Sequence, residues 1–431
     1  MRKGVVDIIT LGCSKNLVDS ERLMKQFSFS GLIARHEPEK LAGEIVVINT
    51  CGFIESAKEE SINTILSAIE MKKSRKVGKV IVMGCLSERY MDELKAELPE
   101  VDRFYGKFNW KEIISDLGLL YNPLLENQRS VSTPSHSAYL KISEGCNRHC
   151  SYCAIPLITG KHRSRSIEDI LEEAKSLSQQ GVREINLIAQ DLTYYGKDLY
   201  RKHAIAELVD RIAGIDGLEW IRLHYAYPHD FPKDLLQTIA SNPNVCNYLD
   251  MALQHISDSM LKKMRRHITK QETYDLISEI REAVPGIHLR TTLMVGHPEE
   301  TDEDFEELKN FVQNIEFERL GAFAYSHEEG TYAAKNYKDD VPFAVKQKRL
   351  EEIMNLQEII AEKKNRQKVG QTLKVLIDKK DGDYYIGRSE FDSPEVDCEV
   401  LLPTDRRLKI GNFYTVEITD CQSFDLFGVV V

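Results

Sequence analysis

Three short runs of aliphatic and β-branched residues open the chain, at positions 5–10, 45–50 and 79–83, and each ends beside a cysteine. They lead into Leu11-Gly12-Cys13, Cys51-Gly52 and Gly84-Cys85. Polar-rich stretches with helical spacing follow them, at 18–27, 55–71 and 88–98. Continuous apolar strands alternating with helices predict a parallel α/β sandwich with right-handed crossovers. Regular periodicity is lost between residues 102 and 136, and Ser130-Val131-Ser132-Thr133-Pro134-Ser135-His136 reads as a boundary linker. The alternation then resumes. Strands are expected at 138–142, 184–189, 220–225, 248–253, 288–295 and 319–325, and helices at 167–180, 204–214, 269–283 and 302–314. That is the pattern of an open, partial (βα) barrel of TIM type, in which chemistry sits on the loops after the strands. Pro342 opens an amphipathic connecting helix with Leu350, Ile353, Met354, Leu356 and Ile360 at helical spacing. From Gln371 the period becomes that of strands, at 373–378, 384–388, 399–402, 413–419 and 427–431, which predicts a small antiparallel, OB-like β-barrel. The expected domains are therefore residues 1–125, 132–365 and 367–431.

The strands of a parallel sheet all point one way, so residues just past their carboxyl ends share one edge. Cys13, Cys51 and Cys85 are thus expected to meet, each beside a glycine that permits close backbone approach. Burial as a small hydrophobe accounts for any one of them. Three at the same topological position predict a three-thiolate site. No Gly-x-Gly-x-x-Gly follows the first strand, which removes a dinucleotide-binding reading. A second triad lies in Glu144-Gly145-Cys146-Asn147-Arg148-His149-Cys150-Ser151-Tyr152-Cys153, spaced Cys-x-x-x-Cys-x-x-Cys with an aromatic before the third cysteine. A loop this tight presents three thiolates to three corners of an iron–sulfur cube and leaves the fourth iron open, whereas four-cysteine clusters are closed and carry electrons. Structural zinc normally asks for two Cys-x-x-Cys halves or added histidines, and only His149 lies in the loop. A two-cluster electron carrier stays as the reading from another class, although such a carrier needs neither a long barrel nor an appended β domain.

The Cys146–Cys150–Cys153 spacing resembles the signature of the radical S-adenosylmethionine (SAM) enzymes. The resemblance implies that Cys146, Cys150 and Cys153 are catalytic, holding a cluster whose open iron chelates SAM and cleaves it to a 5′-deoxyadenosyl radical. Two triads, one dispersed and one compact, together resemble the methylthiotransferases. Those enzymes carry two 4Fe-4S clusters, here implied at Cys13, Cys51 and Cys85 and at Cys146, Cys150 and Cys153, and insert a methylthio group into an unactivated C–H bond. Leu11-Gly12-Cys13-Ser14-Lys15-Asn16-Leu17-Val18-Asp19-Ser20-Glu21 and Asn49-Thr50-Cys51-Gly52-Phe53-Ile54 are similar to the branch that modifies the β-carbon of an aspartate in ribosomal protein S-twelve. The tRNA-modifying branch typically has Gly-Cys-Gln-Met-Asn at the first position, and it is the nearest alternative. Polar residues at the strand ends suit a SAM site: Tyr152, Gln190 and Arg290 are expected to contact SAM or, for Gln190 and Arg290, substrate. The resemblance implies that Gly296 and Pro298 shape the backbone beside SAM and that the terminal barrel is a TRAM domain. For Gln190 and Asp191 a helix cap or solvated loop is the competing reading, and for Arg290 a surface ion pair. Val295-Gly296-His297-Pro298-Glu299-Glu300-Thr301 is similar to the family's Val-Gly-Phe-Pro-Gly-Glu-Thr but has His297 for Phe and Glu299 for Gly. His297 is read as an exposed spectator and Lys161-His162-Arg163-Ser164-Arg165 as a solvated basic face. Cys246, Cys398 and Cys421 are expected in cores.

Composition narrows the partners. Formal net charge is −11, so no global field draws the chain to nucleic acid or an anionic membrane. No apolar run approaches the roughly 18–20 residues that span a bilayer, and the start lacks the features of a signal peptide. A cytosolic protein with nine reduced cysteines is the expectation. From Gln367 to Val431 there are eight Lys and Arg against twelve Asp and Glu, and five acids with no base lie between Glu390 and Glu399. An RNA-binding barrel presents a basic face. An acidic one is expected to repel RNA and attract a basic ribosomal protein.

Overall fold

The computed structural model describes residues 1–431. They form two compact units: residues 1–133, 139–147 and 153–176 in the first, and residues 134–138, 148–152 and 177–431 in the second. Packing therefore groups the chain differently from the boundaries read in the sequence. The terminal barrel shares a unit with the central sheet, and the cysteine loop divides between the two.

The first unit is built on a parallel sheet of order β2-β1-β3-β4-β5, with β1 (Arg2–Thr10), β2 (Ile33–His36), β3 (Gly43–Thr50), β4 (Lys79–Gly84) and β5 (Arg103–Phe104). Its strands are apolar on both faces, as burial on both sides requires. Ile45 and Val47 pack with Leu23, Met24 and Phe27 of α1 (Ser14–Phe29). Their neighbours Val46 and Ile48 pack on the other face with Ile65, Ala68 and Ile69 of α2 (Glu55–Lys73). The helix expected at 88–98 is two, α3 (Cys85–Arg89) and α4 (Met91–Glu97), broken at Tyr90, whose φ of −132° and ψ of 35° are not helical. α5 (Trp110–Asp116) and the short β2 and β5 carried no clear period. Beyond the linker come β6 (Ser137–Lys141) and a two-stranded antiparallel ribbon of β7 (Ser143–Glu144) and β8 (Arg163–Ser164), which brackets the cysteine loop. Inside the bracket lies α6 (Ile155–Thr159), and after it α7 (Ile167–Gln179).

The second unit holds an open sheet in which β13, β12, β11, β10 and β9 are neighbours in that order. The strands β9 (Glu184–Ile188), β10 (Trp220–Ala226), β11 (Val245–Gln254), β12 (His288–Val295) and β13 (Arg319–Ala324) are parallel throughout. The helices between and after them are α8 (Ile205–Ala213), α9 (Asp234–Ser241), α10 (Asp258–Lys263), α11 (Lys270–Ala283), α12 (Asp302–Ile315), α13 (Tyr332–Asn336) and α14 (Phe343–Arg366). α11 and α12 each begin with a capping box, Thr269 with Glu272 and Thr301 with Asp304, so their first N–H groups are satisfied locally. A closed barrel of order β14-β15-β16-β18-β17 ends the chain, from β14 (Thr372–Asp381), β15 (Tyr384–Ser389), β16 (Glu399–Pro403), β17 (Phe413–Cys421) and β18 (Asp425–Val430). Four of its pairings are antiparallel, and β16 with β18 is parallel. No helix is long and apolar enough to cross a membrane.

Barrel and sheet share a core: Cys246, Trp220 and Tyr248 pack with Leu376 and Phe413. A buried ionic network surrounds that contact. Glu184 accepts from Arg388 at 2.7 and 3.0 Å, from Arg222 at 3.1 Å and from Ser137 at 2.9 Å. Arg388 also reaches Asp378, which in turn bonds His136 at 2.8 Å. Arg319 holds Asp392, Arg290 holds Asp250 and Asp397, and Tyr248 donates to Asp397 at 2.9 Å. Here the structure corrects the reading of the acidic run. Asp392 is fully buried on Arg319, the Asp397 side chain is buried on Arg290, and Glu390 accepts from the Asn247 N–H, so two of the five charges are paired within the unit. Glu395 is exposed and the Glu399 side chain is partly so, so only part of the run faces solvent.

Candidate functional site

Cys13 caps the start of α1, Cys51 follows β3 and Cys85 is the first residue of α3, so the carboxyl edge of the first sheet carries all three. They converge. A Cβ on Gly12, where φ is +91°, would lie 2.7 Å from both Cβ and Sγ of Cys51. The Cys85 Sγ donates to Asn16 Oδ1 at 3.5 Å, and Asn16 Nδ2 donates to the carbonyls of Leu11 and Thr50, which precede the other two cysteines' turns. The Ser61 hydroxyl of α2 bonds both N–H and C=O of Cys51 and fixes that turn.

Charge around the triad favours anionic sulfur at one position. Desolvation by surrounding atoms works to raise the Cys13 thiol, and Lys15, Lys107 and two backbone N–H groups outweigh it, leaving it below its ordinary value although the residue is exposed. Burial pushes Cys51 up and pushes Cys85 up to about 12. Lys107 is buried and donates to Asn16 Oδ1 at 3.2 Å and to Asp19 at 2.9 Å. Asp19 also binds Lys141, which holds Glu144, the residue two before Cys146. The donor set, the buried cation and the glycine-made cradle fit an anionic iron–sulfur cluster. No group of three His, Cys, Asp or Glu is drawn tightly enough to grip a single metal ion, and a cube does not ask for one, because its ligands sit on separate irons.

The second triad lies in the loop bracketed by β7 and β8. Gly145 closes the bracket, with φ of +75° and no room for a Cβ beside the Lys161 carbonyl, while the Cys146 N–H donates to Gly160 at 3.2 Å. Cys85 packs against Ala154, the residue after Cys153, and against Ile158 of α6. Residues 148–152 are clamped by two arginines. Arg148 Nε donates to Asp191 at 2.5 Å, and its guanidinium lies 4.3 Å from the Tyr227 ring centre. Arg266 Nη1 donates to the Cys150 sulfur at 3.3 Å and to the Tyr152 hydroxyl at 3.2 Å, and its guanidinium lies 4.2 Å from the same ring. Ser151 is tied by its N–H to Met264 and by its carbonyl to Ala333.

The sequence-predicted SAM contacts separate into two groups. Tyr152 is in the loop, Gln190 follows β9 half-buried beside Asp191, and Gly296 and Pro298 follow β12, all at carboxyl ends of strands. Gly296 has a φ of +72° and its backbone lies against Lys346, so a side chain there would clash. Arg290 is elsewhere. It lies near the amino-terminal end of β12, committed to Asp250 at 3.1 Å and Asp397 at 3.3 Å, an ion pair of the barrel contact. Asp191 holds Arg148 and caps the turn after β9 through the Thr193 N–H, so it supports the cysteine loop. His297 is fully buried, not an exposed spectator. Its Nδ1 faces the Pro298 carbonyl at 3.0 Å, which can only accept, so Nε2 is free to accept from the Ser151 hydroxyl at 3.3 Å. Burial drops its pKa to about 4 and keeps it neutral. Glu299, which replaces the family's glycine, adopts a left-handed φ of 63°. Glu300 ties the loop through the Gly296 N–H at 2.7 Å and Arg349 at 2.7 Å, which holds that conformation in place. The basic run is partly structural, with His162 buried and Arg165 bound to Glu173.

Lys107, Tyr227 and Arg266 carried no sequence signal, and Asp19 stood only as one position of the motif around Cys13. Arg266 sits in Lys262-Lys263-Met264-Arg265-Arg266-His267, a run indistinguishable from a solvated face. Asp191→Asn removes Arg148's counter-ion, and iron bound in the loop should then be lost to a chelator about tenfold more readily, in line with outer-shell changes at other metal sites. Chelator competition followed by iron absorbance measures it, and an unchanged loss rate would remove Asp191 from this role.

Comparison with known proteins agrees with these features. The Radical SAM superfamily matches residues 140–312, the TRAM domain 369–431 and an uncharacterized protein family, UPF0004, 5–106. The chain is 60% identical over 431 residues to the ribosomal protein uS12 methylthiotransferase RimO of Parabacteroides distasonis, covering 100% of both chains. The protein of the same name from Bacteroides thetaiotaomicron is 59% identical over 432 residues, covering 100% of this chain and 99% of the relative. That from Flavobacterium psychrophilum is 52% identical over 429 residues, 99% of this chain and 98% of the relative. Among solved structures, the radical S-adenosylmethionine methyltransferase TsrM from Kitasatospora setae, with cobalamin and a 4Fe-4S cluster bound, superposes with a TM-score of 0.54 over 75% of each chain at 13% identity, a likeness of fold.

Proposed function

The chain belongs to the RimO family of ribosomal protein uS12 methylthiotransferases, and we propose that its two cysteine triads divide that transfer between them. It is a radical SAM transferase. In this reading Cys146, Cys150 and Cys153 hold the 4Fe-4S cluster at which SAM binds, and Cys13, Cys51 and Cys85 hold a second. When bound, these groups supply the bond chemistry: one-electron cleavage of SAM to a 5′-deoxyadenosyl radical, and the sulfur and methyl to be inserted. The net change is that one C–H on the β-carbon of a uS12 aspartate becomes C–SCH₃.

The protein's own work is placement. Gly145, the β7–β8 ribbon and the Arg148–Asp191 pair hold the loop; Gly296, Pro298 and Glu300 shape the backbone beside it; Tyr152 and Gln190 are the proposed SAM contacts. Asn16 and Lys107 hold the other triad. The observation that carries the division is the packing of Cys85 against Ala154 and Ile158, which sets one triad beside the segment that ends the other. Pairing of Asp392 and Asp397 with buried arginines weakens the acidic run as a source of substrate choice, so preference for a protein rests chiefly on the Asn16-containing motif and full-length identity. Reconstituted protein incubated with SAM and reductant, then assayed on uS12 and on tRNA by mass spectrometry, should place the methylthio group on the aspartate. Modified adenosine with untouched uS12 would overturn the reading.

A further inference from the structure

Arg266 is 3% exposed, and none of its contacts is with a carboxylate. Its Nη1 donates to Cys150 Sγ and Tyr152 Oη, and its Nη2 to the Ala252 carbonyl, while Nε has no partner. The neighbouring Arg148, by contrast, has Asp191 as its counter-ion. A buried charge without an opposite charge is costly, and such groups normally pair or coordinate. What Arg266 faces is a cysteine sulfur, which becomes an anion when it binds iron. Beyond the Tyr227 ring face, 4.2 Å from the guanidinium, the group placed to oppose its charge is that sulfur.

Tyr227 shows that this contact is specific. Its hydroxyl stands 3.7 Å from Cys150 Sγ, yet its single hydrogen is directed to the Arg266 carbonyl at 2.9 Å. A ligated sulfur offers lone pairs alone, so the donor it receives comes from Arg266 and not from Tyr227. Hydrogen bonds to cluster sulfurs and nearby charge are levers that set a cluster's potential.

We propose that Arg266 is a positioning residue whose hydrogen bond to Cys150 sets the reduction potential of the SAM-cleaving cluster. The inference rests on the reading that Cys146, Cys150 and Cys153 hold that cluster. One added electron makes the cluster more anionic, and a guanidinium on its ligand sulfur stabilises that form, so removing it makes reduction harder.

The test uses full-length protein with Cys13, Cys51 and Cys85 all replaced by Ala, so that one cluster remains, reconstituted with iron and sulfide. Iron content and the absorbance of this background are read first; if it holds no cluster, the underlying reading fails, separately from the role of Arg266. The reduced fraction is then followed by electron paramagnetic resonance at fixed applied potentials. Arg266→Met should lower the ratio of reduced to oxidised cluster about tenfold, 59 mV for one electron. Arg266→Lys should recover much of that, and Tyr227→Phe should match the background. An unchanged ratio in Arg266→Met, or an equal shift in Tyr227→Phe, overturns the proposal. If Arg266→Met fails to hold iron, Arg266→Gln, which removes the charge but keeps an N–H donor, decides: a lowered ratio supports the proposal, and one identical to the background sinks it.

Discussion

A Cys85→Ala variant reconstituted with iron and sulfide should carry about half the iron of the parent, still release 5′-deoxyadenosine from SAM, and transfer no methylthio group to uS12. Cys146→Ala should also carry about half the iron, but release no 5′-deoxyadenosine. The asymmetry follows from where the ligands are anchored. Cys13, Cys51 and Cys85 come from the ends of separate strands and are cross-braced by Asn16, Ser61 and Lys107. Cys146, Cys150 and Cys153 come from one loop braced by Gly145, Arg148 and Arg266. Each triad already leaves one iron of its cube without a cysteine, so loss of one thiolate leaves only two, too few to hold that cluster. The other brace is untouched. Iron per chain, nucleoside chromatography and mass spectrometry of uS12 read the three quantities independently. A Cys85→Ala protein that loses SAM cleavage along with half its iron would show that the triads do not act as separate sites.

What the sequence disclosed, it disclosed through period and topology. Runs of Val and Ile marked the strands, and parallel connectivity then required Cys13, Cys51 and Cys85 to share an edge, as they do. The compact triad was a reading of spacing, three cysteines within eight residues of one loop. Charged side chains were not. Arg290, Asp392 and Asp397 carry no period, and whether an acid is solvated or buried against an arginine more than seventy residues away depends on how the elements pack. His297 looked like a surface substitution because the family's phenylalanine gave no hint that a neutral imidazole would occupy the same buried place and bond Ser151. The break at Tyr90, which makes Cys85 the first residue of its own short helix, also left no mark in the pattern.

The buried network around Glu184 yields the largest expected effect on stability. Glu184→Gln keeps the shape of the side chain but leaves Arg388 and Arg222 sharing a pocket without their common anion. Breaking a buried pair by removing one partner costs roughly 3–5 kcal/mol. Urea unfolding at pH 7 should show a loss of that size, and a loss under about 1 kcal/mol, the surface-pair range, would mean the network is not a major support. Acid provides a second check. Burial acts to raise Glu184, and the two arginines with Ser137 outweigh it, so its carboxyl lies far below the usual carboxylate range. Glu173 is likewise lowered to about 2, burial being overcome by Arg165, Arg129 and Arg22. A depressed carboxylate contributes stability that is complete above the unfolded value, about 4.3, and is lost as pH falls toward the folded one, because the unfolded chain then binds protons that the native state refuses. The parent should therefore lose stability steeply as pH falls from about 4.3 toward 2. In Glu184→Gln one such proton is gone, so its penalty should shrink by roughly 2 kcal/mol at about pH 3, at 1.36 kcal/mol per pH unit. Equal penalties at the two pH values would show that Glu184 is not ionised in the native protein, and that packing rather than charge binds the terminal barrel to the sheet.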